Sequence, residues 1–137
     1  MESNAIHDVL VAYATALDSK QYDQLSDVFL EDATAHYVGV GDCHGLSQIV
    51  TLVSSVLDQC AGTQHLLGNF RIQVNGSEAT AQCYLQAIHV GKGDFAESMM
   101  TVWGEYSDKL VLTANGWRIA HRELRSIHGQ GDIGLVV

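Results

Sequence analysis

Residues 71–90 read RIQVNGSEATAQCYLQAIHV, and this stretch decides the fold class. Apolar and polar side chains alternate on both sides of Asn75-Gly76, which is the pattern of two half-buried strands joined by a tight turn. Asn-Gly is typical of a type I′ hairpin turn. The rest of the second half has the same pattern, with a second such turn at Asn115-Gly116 and with strands predicted over 65–74, 79–90, 98–113 and 117–126. These turns predict a meander of long antiparallel strands.

The first half of the chain has a helical pattern instead. In residues 4–19 the apolar side chains recur with the spacing of one helix face, and shorter helices are predicted over 22–29 and 46–59. Residues 33–40 form a predicted strand that leads into a glycine-rich loop over 39–45. Helices followed by a strand meander indicate an α+β fold, with three helices gathered on one face of a curved, mainly antiparallel sheet.

Composition argues against several classes of partner. The formal net charge is −9 and the 137 residues include only seven Lys and Arg, so neither nucleic acid nor an anionic membrane surface is an expected partner. No apolar run is long enough to span a bilayer. The N-terminus lacks the regions of a signal peptide, and the three widely spaced cysteines are typical of free thiols. We therefore expect a soluble, cytoplasmic protein made of one domain, residues 1–137.

Strand alternation orients two histidines. His89 shares one face of its predicted strand with the small apolar residues at alternate positions of 79–87, so its ring is expected to point toward the interior or a cavity. The strand over 65–74 gives a weaker signal. Its more apolar face consists of Leu66, Phe70, Ile72 and Val74. His65 lies on the opposite, mixed face together with Asn69. A pocket wall and partial solvent exposure both fit that mixed face.

An acid and a histidine lie at the ends of two predicted elements. Asp18 closes the first helix, and His65 opens the first long strand, each beside largely apolar neighbours. If the two side chains meet in an apolar pocket they form a general base, because the carboxylate fixes the ring tautomer and favours the imidazolium. The plainer interpretations are a solvated acid at a helix C-terminus and a histidine hydrogen-bonded to backbone.

Several motifs agree in order and spacing with a known family. They are YATALD at 13–18, VFLEDA at 28–33, TQHLLGN at 63–69 and GWRIAHR at 116–122. At these residues the chain resembles the SnoaL-like branch of the NTF2-like superfamily. The resemblance implies a cone-shaped α+β barrel in which the helices pack on the concave face of the sheet. Within the branch, the chain resembles the scytalone dehydratases and the hexachlorocyclohexane dehydrochlorinases.

The resemblance implies roles for individual residues. Those enzymes use an Asp–His dyad without metal or organic cofactor, and here Asp18 matches the acid and His65 the base. His89 matches a second pocket histidine, and Tyr37 a pocket tyrosine that binds a water or a carbonyl. Arg122 falls near a pocket arginine of the dehydrochlorinases, although the lysine that those enzymes carry on the first helix is absent. Two more expected pocket residues complete the predicted substrate contacts, Tyr13 and Asn69.

The resulting functional hypothesis is a cofactor-independent lyase, dehydratase or isomerase. It would act on a small, mostly apolar molecule, cyclic or polyketide-like, with elimination of water as the leading reaction. A cyclase or an epoxide-opening enzyme on the same site is the alternative within catalysis. The alternative outside catalysis is a module that binds a hydrophobic ligand or serves as a small subunit. The superfamily also implies a homo-oligomer, a dimer or a trimer.

Two further segments carry open interpretations. Asp42-Cys43-His44 with His36 contains metal-ligating residue types, but the paired spacing of a zinc motif is absent, so no metal is expected. The tail over 128–137 combines glycines with apolar residues. It is predicted to be a lid over the pocket or a strap onto a neighbouring subunit, with a frayed terminus as the plain alternative.

Overall fold

The computed structural model describes residues 2–137, which form one curved sheet covered on its concave face by helices. The helices are α1 (Glu2–Asp18), a 3₁₀ helix (Tyr22–Asp27) and α2 (Leu46–Leu57), with a further 3₁₀ turn at Gly93–Phe95. The strands are β1 (Phe29–Tyr37), β2 (Gly41–His44), β3 (Gly62–Asn75), β4 (Glu78–Val90), β5 (Met99–Thr113) and β6 (Gly116–Gln130). The predicted α+β cone, with three helices on a curved sheet, is confirmed.

The sheet is open and mainly antiparallel, in the order β2-β1-β6-β5-β4-β3. Within residues 2–137 only β1 and β6 run parallel, and β6 lies between β1 and β5. Burial alternates strictly along most of β4, as the sequence pattern predicts, and the small buried side chains leave room for the helices. On that inner face α1 places Ile6, Leu10, Tyr13 and Leu17, and α2 places Ile49, Val53 and Leu57, all of them buried.

Three local predictions are wrong. Phe29 begins β1 rather than ending a helix, and residues 41–44 of the predicted loop form β2, paired with β1. Neither hairpin has a type I′ turn, which requires positive φ at both central residues. The pair across the first turn is Asn75 with Glu78, and of the two residues between them only Gly76 has positive φ. At the second turn the positive φ falls on Gly116, after the two central residues.

The faces predicted for β3 are wrong on one side of a bulge in this strand. Gly68 pairs with Tyr84 and Arg71 with Gln82, so β3 contains one residue more than β4 over this interval. Asn69 has a φ of +51°, in the left-handed region that asparagine tolerates, and this conformation accommodates the extra residue. Before the bulge His65 points inward, and Leu66 is 61% exposed. Alternation alone predicts that Leu66 and Phe70 share one apolar face. Because of the bulge, the two side chains lie on different faces.

Candidate active site

Asp18 and His65 meet where α1 ends beside the start of β3. The Nδ1 of His65 lies 2.6 Å from Asp18 Oδ1, and the backbone N–H of His65 donates to Asp18 Oδ2 at 2.9 Å. The hydroxyl of Thr63 donates to Oδ1, also at 2.9 Å. Because an ionised carboxylate only accepts, Nδ1 carries the ring proton, and Nε2 is left as an acceptor on the opposite edge of the ring.

The environment keeps Asp18 ionised. Burial by itself raises the pKa of the carboxyl, but hydrogen bonds from the ring and backbone of His65 and from Thr63 outweigh it, so the pKa is lowered overall. These donors also offset the unfavourable position of an acid at a helix C-terminus. The Asp18 side chain is 26% exposed and that of His65 only 6%. The dyad is therefore anchored from the solvent side, while the imidazole lies inside.

His89 is the second histidine of this site. Its ring centroid lies 5.9 Å from that of His65, edge to face, and its Nδ1 donates to the carbonyl of Met100 at 3.2 Å. Burial, followed by the nearby His65, lowers the pKa of His89, and the Met100 carbonyl opposes this only in part. A neutral ring that donates from Nδ1 has an unprotonated Nε2, so His89 is a fixed hydrogen-bond acceptor near neutral pH.

Two tyrosine hydroxyls form the other polar group of the cavity. The Oη of Tyr13, from α1, lies 2.8 Å from the Oη of Tyr37, at the end of β1, and both side chains are buried. The Tyr13 ring stands edge to face against Tyr106 at 5.8 Å. Burial raises the pKa of Tyr37 well above its ordinary value, with the neighbouring Tyr13 adding to the effect. Both hydroxyls therefore keep their protons and can donate.

Arg122 lies behind this tyrosine pair. It is fully buried and makes a two-pronged ion pair with Asp108, from Nε at 2.7 Å and from Nη2 at 2.9 Å. Its guanidinium carbon lies 4.3 Å from the centre of the Tyr13 ring and 3.9 Å from that of Tyr106. The side chain does not line the cavity. The predicted pocket arginine thus contacts the pocket's tyrosines and not the cavity itself.

The cavity between the helices and the concave sheet face has a volume of about 210 Å³. His65, His89, Tyr13, Tyr37, Tyr106 and Ser126 supply its polar side chains. The remaining wall is aliphatic except for Met100, and consists of Leu17, Val38, Val40, Leu52, Val53, Val56, Leu57, Leu85, Ala87, Met100, Val102, Leu124 and Leu135. This composition, mostly apolar with a few convergent polar groups, is that of a small-molecule site.

The C-terminal tail lies against this cavity. Leu135 is part of the lining, and Ile133 is buried. The side-chain amide of Gln59 binds the backbone of Val136 twice, donating to its carbonyl at 2.7 Å and accepting from its N–H at 2.9 Å. Gly134 fits directly against the Phe95 ring, where a Cβ would lie 2.4 Å from a ring carbon. A frayed terminus does not fit these contacts, whereas the lid over the pocket and the strap onto a neighbouring subunit both stay predictions.

Two other sequence-based candidates lie elsewhere. Asn69 sits at the exposed bulge of β3 and does not line the cavity, so it is not placed for the predicted ligand contact. His36 pairs with Asp42 on the exposed side of β1 and β2, whereas Cys43 is buried on the other side. Within residues 2–137 no three His, Cys, Asp or Glu side chains are grouped to hold a metal ion. In the same residues no helix is long and apolar enough to cross a membrane.

Sequence reasoning missed four side chains that matter here: Thr63, Asp108, Gln59 and Ser126. Thr63 stands two residues before His65, the spacing that puts both on one strand face, so alternation could have indicated it. Asp108 lies on the inner face of β5 with Tyr106 and Leu110, and an acid in such a position signals a buried partner. For Gln59 and Ser126 the sequence carries no signal.

Residues 2–123 match a protein family described as SnoaL-like domain. The uncharacterized protein Rv2910c of Mycobacterium tuberculosis is 34% identical over 119 residues, which are 85% of this chain and 80% of that protein.

Solved structures share the fold over nearly the whole chain. A Novosphingobium aromaticivorans protein provisionally named an aromatic ring hydroxylase is 28% identical, with a TM-score of 0.87 over 96% of this chain and 93% of that one. Another from that species, provisionally named a scytalone dehydratase, is 25% identical, with a TM-score of 0.86 over 94% and 86%. The hexachlorocyclohexane dehydrochlorinase LinA-type3 of Novosphingobium barchaimii is 16% identical, with a TM-score of 0.83 over 98% and 92%, a likeness of fold alone.

Proposed function

This chain belongs to the SnoaL-like domain family, and on that premise we propose that it is a lyase or isomerase that uses the Asp18–His65 dyad as its general base. Its substrate is a small, mostly apolar molecule, cyclic or polyketide-like. One observation carries the proposal: His65 lines an apolar cavity while its Nδ1 is bound to Asp18, which directs the basic Nε2 edge toward the cavity. Ligand-binding modules do not need that arrangement.

The leading reaction is elimination of water. His65 Nε2 accepts a proton from a carbon beside a carbonyl, and the electron pair of the broken C–H bond forms a carbon–carbon double bond as the C–O bond to a neighbouring hydroxyl breaks. The proton on His65 then passes to the departing hydroxyl, so water is the product and the dyad is restored. Return of the proton to a different carbon gives isomerisation instead. Asp18 stabilises the imidazolium that both reactions require.

Other groups of the cavity position the substrate. Tyr37 donates to its carbonyl, and His89, held neutral by burial, accepts from its hydroxyl. The aliphatic wall and the tail exclude water, which strengthens each of these interactions. A positioned general base supplies about 10²–10⁴-fold, so orientation within the cavity supplies the remainder of the rate enhancement.

The experiment that tests this proposal uses a panel of cyclic β-hydroxy ketones. Elimination is followed by the absorbance of the conjugated product, and C–H exchange in D₂O is followed by NMR as a readout that needs no leaving group. Asp18→Asn and His65→Ala are compared with Asp8→Asn, a matched control because Asp8 lies on the same helix with an exposed side chain. Ligand binding without exchange or turnover by the unmutated protein would assign a binding module instead.

The protein is also proposed to form a homo-oligomer through the convex face of the sheet. Leu66, Tyr84 and Ile127 are exposed there around Trp103, an apolar surface that a monomer rarely leaves in water. Sedimentation of the unmutated protein and of Leu66→Glu tests this. A mass of 14.9 kDa for the unmutated protein would contradict it.

A further inference from the structure

Two histidines of the cavity are held in the same way. His65 donates from Nδ1 to the carboxylate of Asp18 at 2.6 Å, and His89 donates from Nδ1 to the carbonyl of Met100 at 3.2 Å. Each ring therefore keeps an unprotonated Nε2, and both side chains line the cavity. An imidazole whose Nδ1–H is bound to an oxygen acceptor has the tautomer and the fixed orientation that metal-ligating histidines have in proteins.

The separation of the two rings fits a single metal ion between them. Their centroids lie 5.9 Å apart, with the ring planes at 71°. With a metal–nitrogen bond of about 2.0–2.1 Å, a ring centroid lies roughly 3.2 Å from the ion. Two imidazoles on one four-coordinate ion then have centroids about 5–6 Å apart. His65 and His89 therefore stand at the spacing of two ligands to one ion.

We propose that His65 and His89 bind a divalent transition-metal ion such as Zn²⁺ through their Nε2 atoms, and that the bound ion inhibits the protein. Imidazole nitrogen suits this class of ion, whereas Mg²⁺ and Ca²⁺ prefer oxygen ligands. Two histidines are fewer than the three protein ligands of a usual catalytic zinc site, so water fills the other positions. The binding of the ion does not depend on the proposed function, whereas the inhibition rests on it.

The metal ion and the substrate proton compete for one lone pair. Nε2 of His65 is the atom that accepts the proton in the proposed reaction, and a metal ion bound there occupies the same electron pair. Asp18 raises the basicity of this nitrogen toward a proton and toward a metal ion alike. The arrangement that prepares the general base therefore also prepares the ligand of an inhibitory ion.

The surface of the protein offers a matched control for this site. His36 pairs through Nδ1 with Asp42, as His65 does with Asp18, but the His36 side chain is 50% exposed and that of His65 only 6%. His36→Asn removes a histidine–aspartate pair from the surface and leaves the cavity unchanged. An ion that binds to exposed histidines is expected to respond to this variant, and an ion in the cavity is not.

The test titrates the metal alone. Co²⁺ is added to the unmutated protein, its visible absorbance reports nitrogen ligands, and displacement by Zn²⁺ gives the affinity for Zn²⁺. His89→Asn is expected to weaken binding at least tenfold because one of the two ligands is lost. Asp18→Asn is expected to weaken it about 10–100-fold, the usual cost of losing the partner of a ligating histidine. Weaker binding by His36→Asn together with unchanged binding by His89→Asn overturns the proposal.

Nitrogen NMR identifies the ligands without any substitution. Long-range ¹H–¹⁵N spectra distinguish Nδ1 from Nε2 in each histidine ring. Zn²⁺ is expected to shift the Nε2 signals of His65 and His89 together, while both Nδ1 atoms stay protonated. Shifts confined to other histidines overturn the site, whether or not the variants fold.

Turnover separates inhibition from binding. With a cyclic β-hydroxy ketone that the unmutated protein converts, Zn²⁺ is expected to abolish activity in proportion to the occupied fraction of the site, and EDTA is expected to restore it. Full activity of the Zn²⁺-loaded protein overturns the inhibition. If the protein converts no compound of the panel, the proposed function fails and the inhibition fails with it, whereas the Co²⁺ titration still decides whether the two histidines bind the ion.

Discussion

The two polar ends of the cavity are built in different ways. Asp18 lies at the end of α1 and His65 near the start of β3; two hydrogen bonds join them, a third links Thr63 to Asp18, and Asp18 keeps partial contact with solvent. The tyrosine end is buried, and side chains of α1, β1 and β5 assemble it around the ion pair of Arg122 and Asp108, which joins the neighbouring strands β6 and β5. Burial raises the pKa values of Tyr13 and Tyr37 at the second end, so both hydroxyls keep their protons in the neutral pH range.

The largest expected effect is at the dyad end. Asp18→Asn is expected to keep the fold and reduce turnover by about 10⁴-fold, because an amide cannot enforce the same tautomer of the imidazole. His65→Ala is expected to be at least as severe. Turnover and C–H exchange are measured beside Asp8→Asn, which is expected to behave as the unmutated protein. C–H exchange at the unmutated rate in Asp18→Asn would show that the carboxylate has a structural role only.

A smaller loss is expected at the tyrosine end. Tyr37→Phe is expected to reduce turnover by about 10²-fold, as is typical when one donor to a developing oxyanion is removed. The base remains, so C–H exchange is expected to slow with little change in its pH profile. Equal losses of turnover from Tyr37→Phe and His65→Ala would show that the two ends do not act separately.

The tail contributes Leu135 to the lining of the cavity, and we propose that it closes the cavity as a lid. Removal of residues 131–137 is expected to lower kcat/KM about tenfold, since water then enters the site. Gln59→Ala breaks only the two hydrogen bonds to Val136 and is expected to have a smaller effect in the same direction. Steady-state kinetics and ligand affinity measure both changes. Unchanged kcat/KM and ligand affinity in the truncated protein would show that the tail contributes only to packing.

The smallest effect is a pH dependence of stability. Burial lowers the folded-state pKa of His89, so the unfolded chain binds the proton more readily, and stability is lost as pH falls below the ordinary value of 6.5. His89→Asn is expected to flatten the thermal unfolding temperature between about pH 7 and pH 5. Tyr37→Phe is expected to leave that slope unchanged. A slope that persists in His89→Asn would place its origin in another histidine.

The difference between the two ends also explains what the sequence could predict. Helix periodicity and alternation predict the fold and the inward direction of His89, because these are properties of single elements. The Asp18–His65 pair joins two elements, α1 and β3, and it is predicted by the resemblance of the motifs around both residues, not by a single-element pattern. The partner of Arg122 depends on the register between β5 and β6, which pairs it with Asp108. No single-element pattern encodes register, so the arginine was expected in the cavity and Asp108 was not expected at all.

The bulge at Asn69 gives β3 two phases along one strand. Its first half presents His65 to the cavity and packs Leu67 against the core, and its second half packs Phe70 and Ile72 against the core as well, although an uninterrupted pleat would put these two pairs on opposite faces. An odd-numbered position of the strand therefore contributes to the candidate site, whereas even-numbered positions after the bulge contribute to core packing. The single extra residue at the bulge therefore determines which side chains of β3 face the candidate active site. Deletion of Asn69 would restore a single parity, so that either the imidazole faces water or the core loses an aromatic ring.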